Sequence, residues 1–218
     1  EAANVTIDRI LKLNTANTVS VILYCGATGT NDNSPETTAT CPLPLDSYKS
    51  MNGQYLLLLD NGRGIEVADG VINSSGEEMP PEGRRVTGYT YIQNGLMKAL
   101  NQFTDAADGT DERIPVIALM SDGAPTAANT KYTQEGESNV GVGDITDIRT
   151  TFLTQLTASW IKEKVNHLYQ KTPLFFSVGL AVEDNDYANM VLNPSERTDN
   201  ELDAWWNQFF ESNVRETG

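Results

Sequence analysis

The chain has 218 residues, of which 39% are hydrophobic and 21% charged, enough to bury one core of ordinary size. Thirty acidic against 15 basic side chains leave a net charge of −15, which argues against sequence-independent nucleic-acid binding and against docking on an anionic membrane. No apolar run reaches 18 residues, so no segment reads as a membrane-spanning helix, and no signal peptide is visible.

Residues 1–11 read as the second half of a helix, with Val5 or Ile7, Ile10 and Leu11 on one apolar stripe and no capping residue before Glu1. A turn over residues 14–18 leads into a buried strand at residues 19–24. Residues 26–52 form a polar, proline-containing excursion bracketed by Cys25 and Cys41. A disulfide between these two would pin the excursion to a strand end and imply an oxidising compartment; two separate thiols in a reducing one are the alternative. With His167 the only histidine, two cysteines do not make a structural zinc site.

The apolar run at residues 54–60 predicts a strand buried on both faces, and residues 65–67 with 70–72 a small hairpin. Residues 73–85 read as exposed loop. A loop then enters a helix on which Ile92, Leu96, Leu100 and Phe103 recur at helical spacing. Residues 114–120 predict a short buried strand ending in Ser121, Asp122 and Gly123. After a polar stretch at 123–144 comes a long helix, residues 146–170, with Ile148, Phe152, Leu156, Trp160 or Ile161, and Val165 or Leu168 facing inward. A central strand at 173–182 and a closing amphipathic helix at 199–212, carrying Leu202, Trp205, Trp206, Phe209 and Phe210, complete the chain. The alternation points to an open, mostly parallel twisted sheet with helices on both faces, a single α/β domain over residues 1–218 with insertions at about 26–52, 61–86 and 123–145.

Loops at the carboxyl edge of such a sheet are where ligands bind. There Thr90 offers a hydroxyl and Asp122 a carboxylate, oxygen ligands suited to a hard divalent cation. The structural alternative is that Thr90 caps the following helix and Asp122 closes a strand with a turn.

At residues 88–96 (GYTYIQNGL) and 116–123 (VIALMSDG) the chain resembles the von Willebrand factor A (vWA) family. That family carries a Gly-x-Thr loop before a helix and a hydrophobic strand ending in Asp-Gly, both parts of its metal-ion-dependent adhesion site. The resemblance is specific there and loose elsewhere. It implies Thr90 and Asp122 as metal ligands, with Gly88, Ser121 and Gly123 beside them. Mg²⁺, or Mn²⁺ or Ca²⁺, would be the ion, and an acidic side chain of a protein partner would complete its shell. The family's first motif, Asp-x-Ser-x-Ser after a first strand, has no counterpart in a matching place. The resemblance sets residues 1–11 directly after that strand, so the expectation is a chain shortened at its N-terminus, in which the site is incomplete and holds metal weakly or not at all.

These readings imply a non-enzymatic adhesion module of a secreted or surface-anchored, bacterial protein. The alternative is an intracellular vWA scaffold in an ATPase or chelatase assembly. A hydrolase using Ser121 lacks a base, because His167 falls within the long helix with no orienting acid. Glu183 to Asp186, and Asp108, Asp111 and Glu112, read as solvated connections, and Asn4 and Asn73 open glycosylation sequons that carry no weight alone.

Overall fold

The computed structural model describes residues 1–24, 39–59, 64–85, 90–106, 112–121, 125–135, 140 and 148–179. The predicted helix at residues 199–212 and the acidic run at 183–186 lie outside them. Within the described residues the protein is a mixed α/β structure of three helices and three small sheets. No helix among them is long and apolar enough to cross a membrane.

Helix α1 spans Ala2–Leu13. Its inward stripe is Ala3, Ile7 and Leu11, spaced four apart, with Ile7 buried and the other two half-buried, while Val5 and Ile10 face solvent. The stripe expected from apolarity alone is therefore rotated, and Asn4 explains the rotation. Its side-chain oxygen accepts from the Tyr55 and Leu56 N–H groups at 3.0 and 2.9 Å, and its nitrogen donates to the Leu56 carbonyl at 2.8 Å. These bonds turn the face carrying position 4 toward the sheet. They also occupy the amide a glycan would need, as does the Asn73 bond to Glu77 at 3.0 Å.

The turn after α1 closes through Asn14, whose backbone carbonyl accepts from Asn17 and whose side chain accepts from Ala16. Strand β1 (Val19–Leu23) follows and pairs antiparallel with β2 (Thr40–Asp46). By sequence, β2 falls inside the polar excursion, because Pro42 and Pro44 interrupt it. A proline donates nothing to a ladder and is confined to edges and bulges, and the β1–β2 register does shift on both sides of Val21. Leu43, between the prolines, is completely buried and holds the strand in place.

Strands β3 (Leu56–Leu58), β4 (Gly64–Val67) and β5 (Gly83–Arg85) form a second antiparallel sheet in that order. The apolar run at residues 54–60 is thus not a strand buried on both faces, for Leu58 is 71% exposed. Nor do residues 65–67 pair with 70–72: β4 pairs with β3 and β5, and Ile72 instead bridges Lys49 and Glu78. Ile7, Leu43, Tyr48, Tyr55, Val67 and Val71 make the core between this sheet, α1 and β2.

Helix α2 (Ile92–Ala106), strand β6 (Val116–Ser121), helix α3 (Ile148–Tyr169) and strand β7 (Leu174–Gly179) build the other half. Strands β6 and β7 are parallel, in register from Val116↔Leu174 to Ser121↔Gly179, with α3 in the connection that parallel pairing demands. Ile92, Leu96, Leu100 and Phe103 are all buried, as their spacing predicts, against Ile117, Leu119, Ile161 and Val165. On α3 the inward face includes Phe152, Leu153, Ile161 and Val165, whereas Leu156, Trp160 and Leu168 are half-buried. The sheet is covered by helices on one side; on the other, Val116, Leu174, Phe176 and Val178 are exposed among the described residues, Phe176 by 53%.

Candidate functional site

Of the residues singled out from sequence, Thr90, Ser121 and Cys41 lie within the described structure; Gly88, Asp122, Gly123 and Cys25 lie outside it. Thr90 stands two residues before α2 and is half-buried. Its N–H donates to Thr126 Oγ1 at 2.8 Å, and the Thr126 N–H donates back to the Thr90 carbonyl at 3.0 Å. The loop entering α2 and the segment beyond β6 are therefore laced together by a reciprocal pair of bonds. This pair engages the Thr90 backbone and stands beside both readings of its hydroxyl, as helix cap or as ligand.

The lacing continues inward. Gln93 donates to the Asn129 carbonyl at 2.9 Å and to Thr157 Oγ1 at 3.1 Å, and accepts from the Asn129 N–H at 2.6 Å. Thr150 Oγ1 donates to the Pro125 carbonyl, which ties the same segment to the first turn of α3. Gln93, Asn94, Asn129, Thr150, Thr154 and Thr157 are all buried. This polar layer fixes the segment that begins at Pro125, three residues past Asp122, against the starts of two helices. Apolar periodicity alone does not reveal it; the signal available in the sequence is Thr150, Thr154 and Thr157 recurring at helical spacing on α3.

Tyr91 belongs to the same layer. Burial removes its phenol from water and pushes its pKa up to about 12, against a smaller opposing effect of its hydrogen bond with Asn129.

Ser121 is buried, at 5% exposed, and has partners of its own. It pairs with Gly179, whereas exposed His167 precedes Leu174 at the opposite end of the β6–β7 ladder. Five residues of strand, about 17 Å, separate those ends. Ser121 and His167 are not a nucleophile–base pair.

Cys41 is half-buried on β2, with its Sγ 3.3 Å from Ser20 Oγ and 3.3 Å from the Leu43 carbonyl, to which the thiol donates. Burial raises its pKa, while the Ser20 contact and the charge of Lys98 pull the other way. Among the described residues no group of three or more His, Cys, Asp and Glu side chains is placed to hold a metal. In comparison with known proteins, the chain matches no family model, no curated protein and no solved structure.

Proposed function

We propose that the chain is a non-enzymatic binding module of a secreted or cell-surface protein, in which Thr90 and Asp122 hold a divalent cation that captures an acidic side chain of a protein partner. The observation that carries this reading is the reciprocal Thr90–Thr126 pair. It brings the loop bearing the Thr90 hydroxyl against the segment that leaves β6 through Asp122. A loop hydroxyl together with a strand-end carboxylate is the kind of oxygen pair a hard cation takes as ligands. Mg²⁺ is the expected ion, with Mn²⁺ and Ca²⁺ as substitutes, and its open positions give the partner's carboxylate a point of attachment stronger than neutral oxygens offer. The same reading carries two further proposals. The small sheets belong to one open, mostly parallel twisted sheet with helices on both faces, and Cys25 and Cys41 are joined by a disulfide.

Titration of this chain with Mn²⁺, followed by water proton relaxation, tests the site. Two protein ligands leave the ion mostly hydrated, so a dissociation constant on the order of 1 mM is expected. Asp122→Ala should abolish the signal and Thr90→Val weaken it, with the fold unchanged by circular dichroism. Binding at micromolar Mn²⁺ that survives Asp122→Ala would sink the proposal.

A further inference from the structure

The sequence contains three Asn-Gly pairs, at residues 52–53, 61–62 and 94–95, of which the second lies outside the described residues. An asparagine before a glycine carries an electrophile and a nucleophile together. The next backbone nitrogen attacks the side-chain carbonyl carbon through a five-membered ring, and such intramolecular attack gains from proximity. How readily it does so depends on how the fold holds the two atoms.

Asn52 is exposed, in the turn between buried Tyr48 and buried Tyr55. Its Oδ1 accepts from the Gln54 N–H at 3.0 Å and from Ser50 Oγ at 3.1 Å. A side-chain oxygen bonded to the N–H two residues on folds the asparagine over the intervening peptide, whose nitrogen belongs to Gly53. The same two donors face the oxygen on which negative charge gathers when the carbonyl is attacked, as in an oxyanion hole. Ser50 Oγ also accepts from the Gln54 N–H at 3.0 Å and donates to the Gln54 carbonyl at 2.7 Å, so the turn is held by several bonds at once. The departing nitrogen is held loosely, for Nδ2 reaches Gln54 Oε1 only at 3.4 Å. Gly53 adopts φ +73°, a conformation open to glycine, and has no Cβ to crowd its nitrogen. Asn94 is the opposite case. It is 2% exposed within α2, whose backbone dihedrals must be abandoned before the ring closes.

We propose that Asn52 is a site of self-catalysed deamidation, promoted by the turn that holds it. The Gly53 nitrogen bonds to Asn52 Cγ, the Cγ–Nδ2 bond breaks, and ammonia leaves carrying the proton that Gly53 gives up. Water then opens the succinimide at either carbonyl, leaving aspartate or isoaspartate. The reaction needs no oxidant, metal or partner. Its product places a carboxylate next to α1, because the Asp8 carboxylate lies 3.4 Å from where a Cβ on Gly53 would stand. Lys12, 2.7 Å from Asp8, already serves that carboxylate. The added like charge therefore weakens the seat of α1 on this turn.

The test incubates the full chain in mildly alkaline buffer, folded and in urea, and follows the Asn52 and Asn94 peptides by mass spectrometry for the gain of one mass unit. In urea the two should react at similar rates. In the folded chain Asn52 should react at least as fast as in urea, and Asn94 slower by about tenfold or more. Ser50→Ala, which removes one of the two donors, should slow Asn52 by about threefold in the folded chain and leave its rate in urea unchanged. The reacted form, separated by anion exchange on its extra negative charge, should exchange its α1 amides faster than the parent. The proposal is overturned if folding slows Asn52 below its rate in urea, or if Ser50→Ala fails to slow the folded chain. Unchanged exchange of α1 in the reacted form would overturn its coupling to the helix.

Discussion

Thr151 is completely buried on α3, and its hydroxyl has no hydrogen-bond partner, alone among the described buried side chains. A hydroxyl removed from water without a partner costs roughly 1–3 kcal/mol, and valine has the same shape without that cost. Thr151→Val should therefore raise the urea midpoint by the equivalent of about 1 kcal/mol, while Thr154→Val, which deletes a bond to the Thr150 carbonyl, should lower it. A loss of stability in Thr151→Val would mean that the hydroxyl is satisfied in solution. Tyr91 gives a dependence on pH. Its folded pKa is raised to about 12 from the ordinary 10, so above pH 10 the unfolded chain releases this proton first. The stability contributed by Tyr91 is intact below pH 10 and drains away as pH rises toward 12; Tyr48, raised in the same direction by burial, reinforces it. Alkaline unfolding should thus begin above pH 10 and coincide with phenolate absorbance at 295 nm, and Tyr91→Phe should flatten the slope. Neither Thr151 nor the two tyrosines stand out in the sequence, because a buried hydroxyl has the same sequence signature as an exposed one. Thr90 does stand out, since a hydroxyl in a polar loop just before a strongly periodic helix serves either as a cap or as a ligand.

Periodicity exposed the elements whose apolar residues recur regularly and hid those whose own residues interrupt the pattern. The spacing of α2 found all four of its core residues, and the apolar stretch of β6 placed that strand to within two residues of its observed start. Strand β2 was invisible because its two prolines look like loop chemistry, and only burial of Leu43 beneath α1 and the second sheet overrides them. The faces of β3 and β7 could not be assigned either: consecutive leucines or phenylalanines do not say which one is covered. Gly95 is a third case. It sits inside α2, where glycine ordinarily weakens a helix by up to about 1 kcal/mol relative to alanine. A Cβ placed there would stand 2.9 Å from Tyr24 Cβ and 3.0 Å from its ring, atoms close to the β1 backbone that cannot swing away. Gly95→Ala should consequently lower stability by about 1–3 kcal/mol rather than raise it. In a Tyr24→Gly background, which removes that Cβ together with the ring, Gly95→Ala should no longer carry this cost. Equal melting temperatures for Gly95→Ala and the parent would show that β1 and α2 are not in this contact.

Among the described residues the molecule has two cores. One lies between α2, α3 and the β6–β7 pair, the other between α1, β2 and the β3–β5 sheet. Polar links between them include Tyr24 to Met120, Arg113 to Thr18, and the Leu45 N–H to Gln102 Oε1 at 3.1 Å. Two of these join the ends of β1 and β6, strands that belong to different sheets among the described residues. Each is worth about 0.5–1.5 kcal/mol, small beside either core but comparable to the margin that makes separate cores unfold together. In the parent chain, hydrogen exchange across a urea series should show α3 and β4 opening at one midpoint. Tyr24→Phe combined with Arg113→Ala should split this into two transitions, with β4 opening at lower urea because its core lacks long helices to shield it. Each single variant should do less than half of what the pair does, since either remaining bond still holds the strands in line. If the double variant unfolds in one step, cohesion comes from α2 spanning both halves, and the links at the ends of β1 and β6 register the two strands without coupling the two cores.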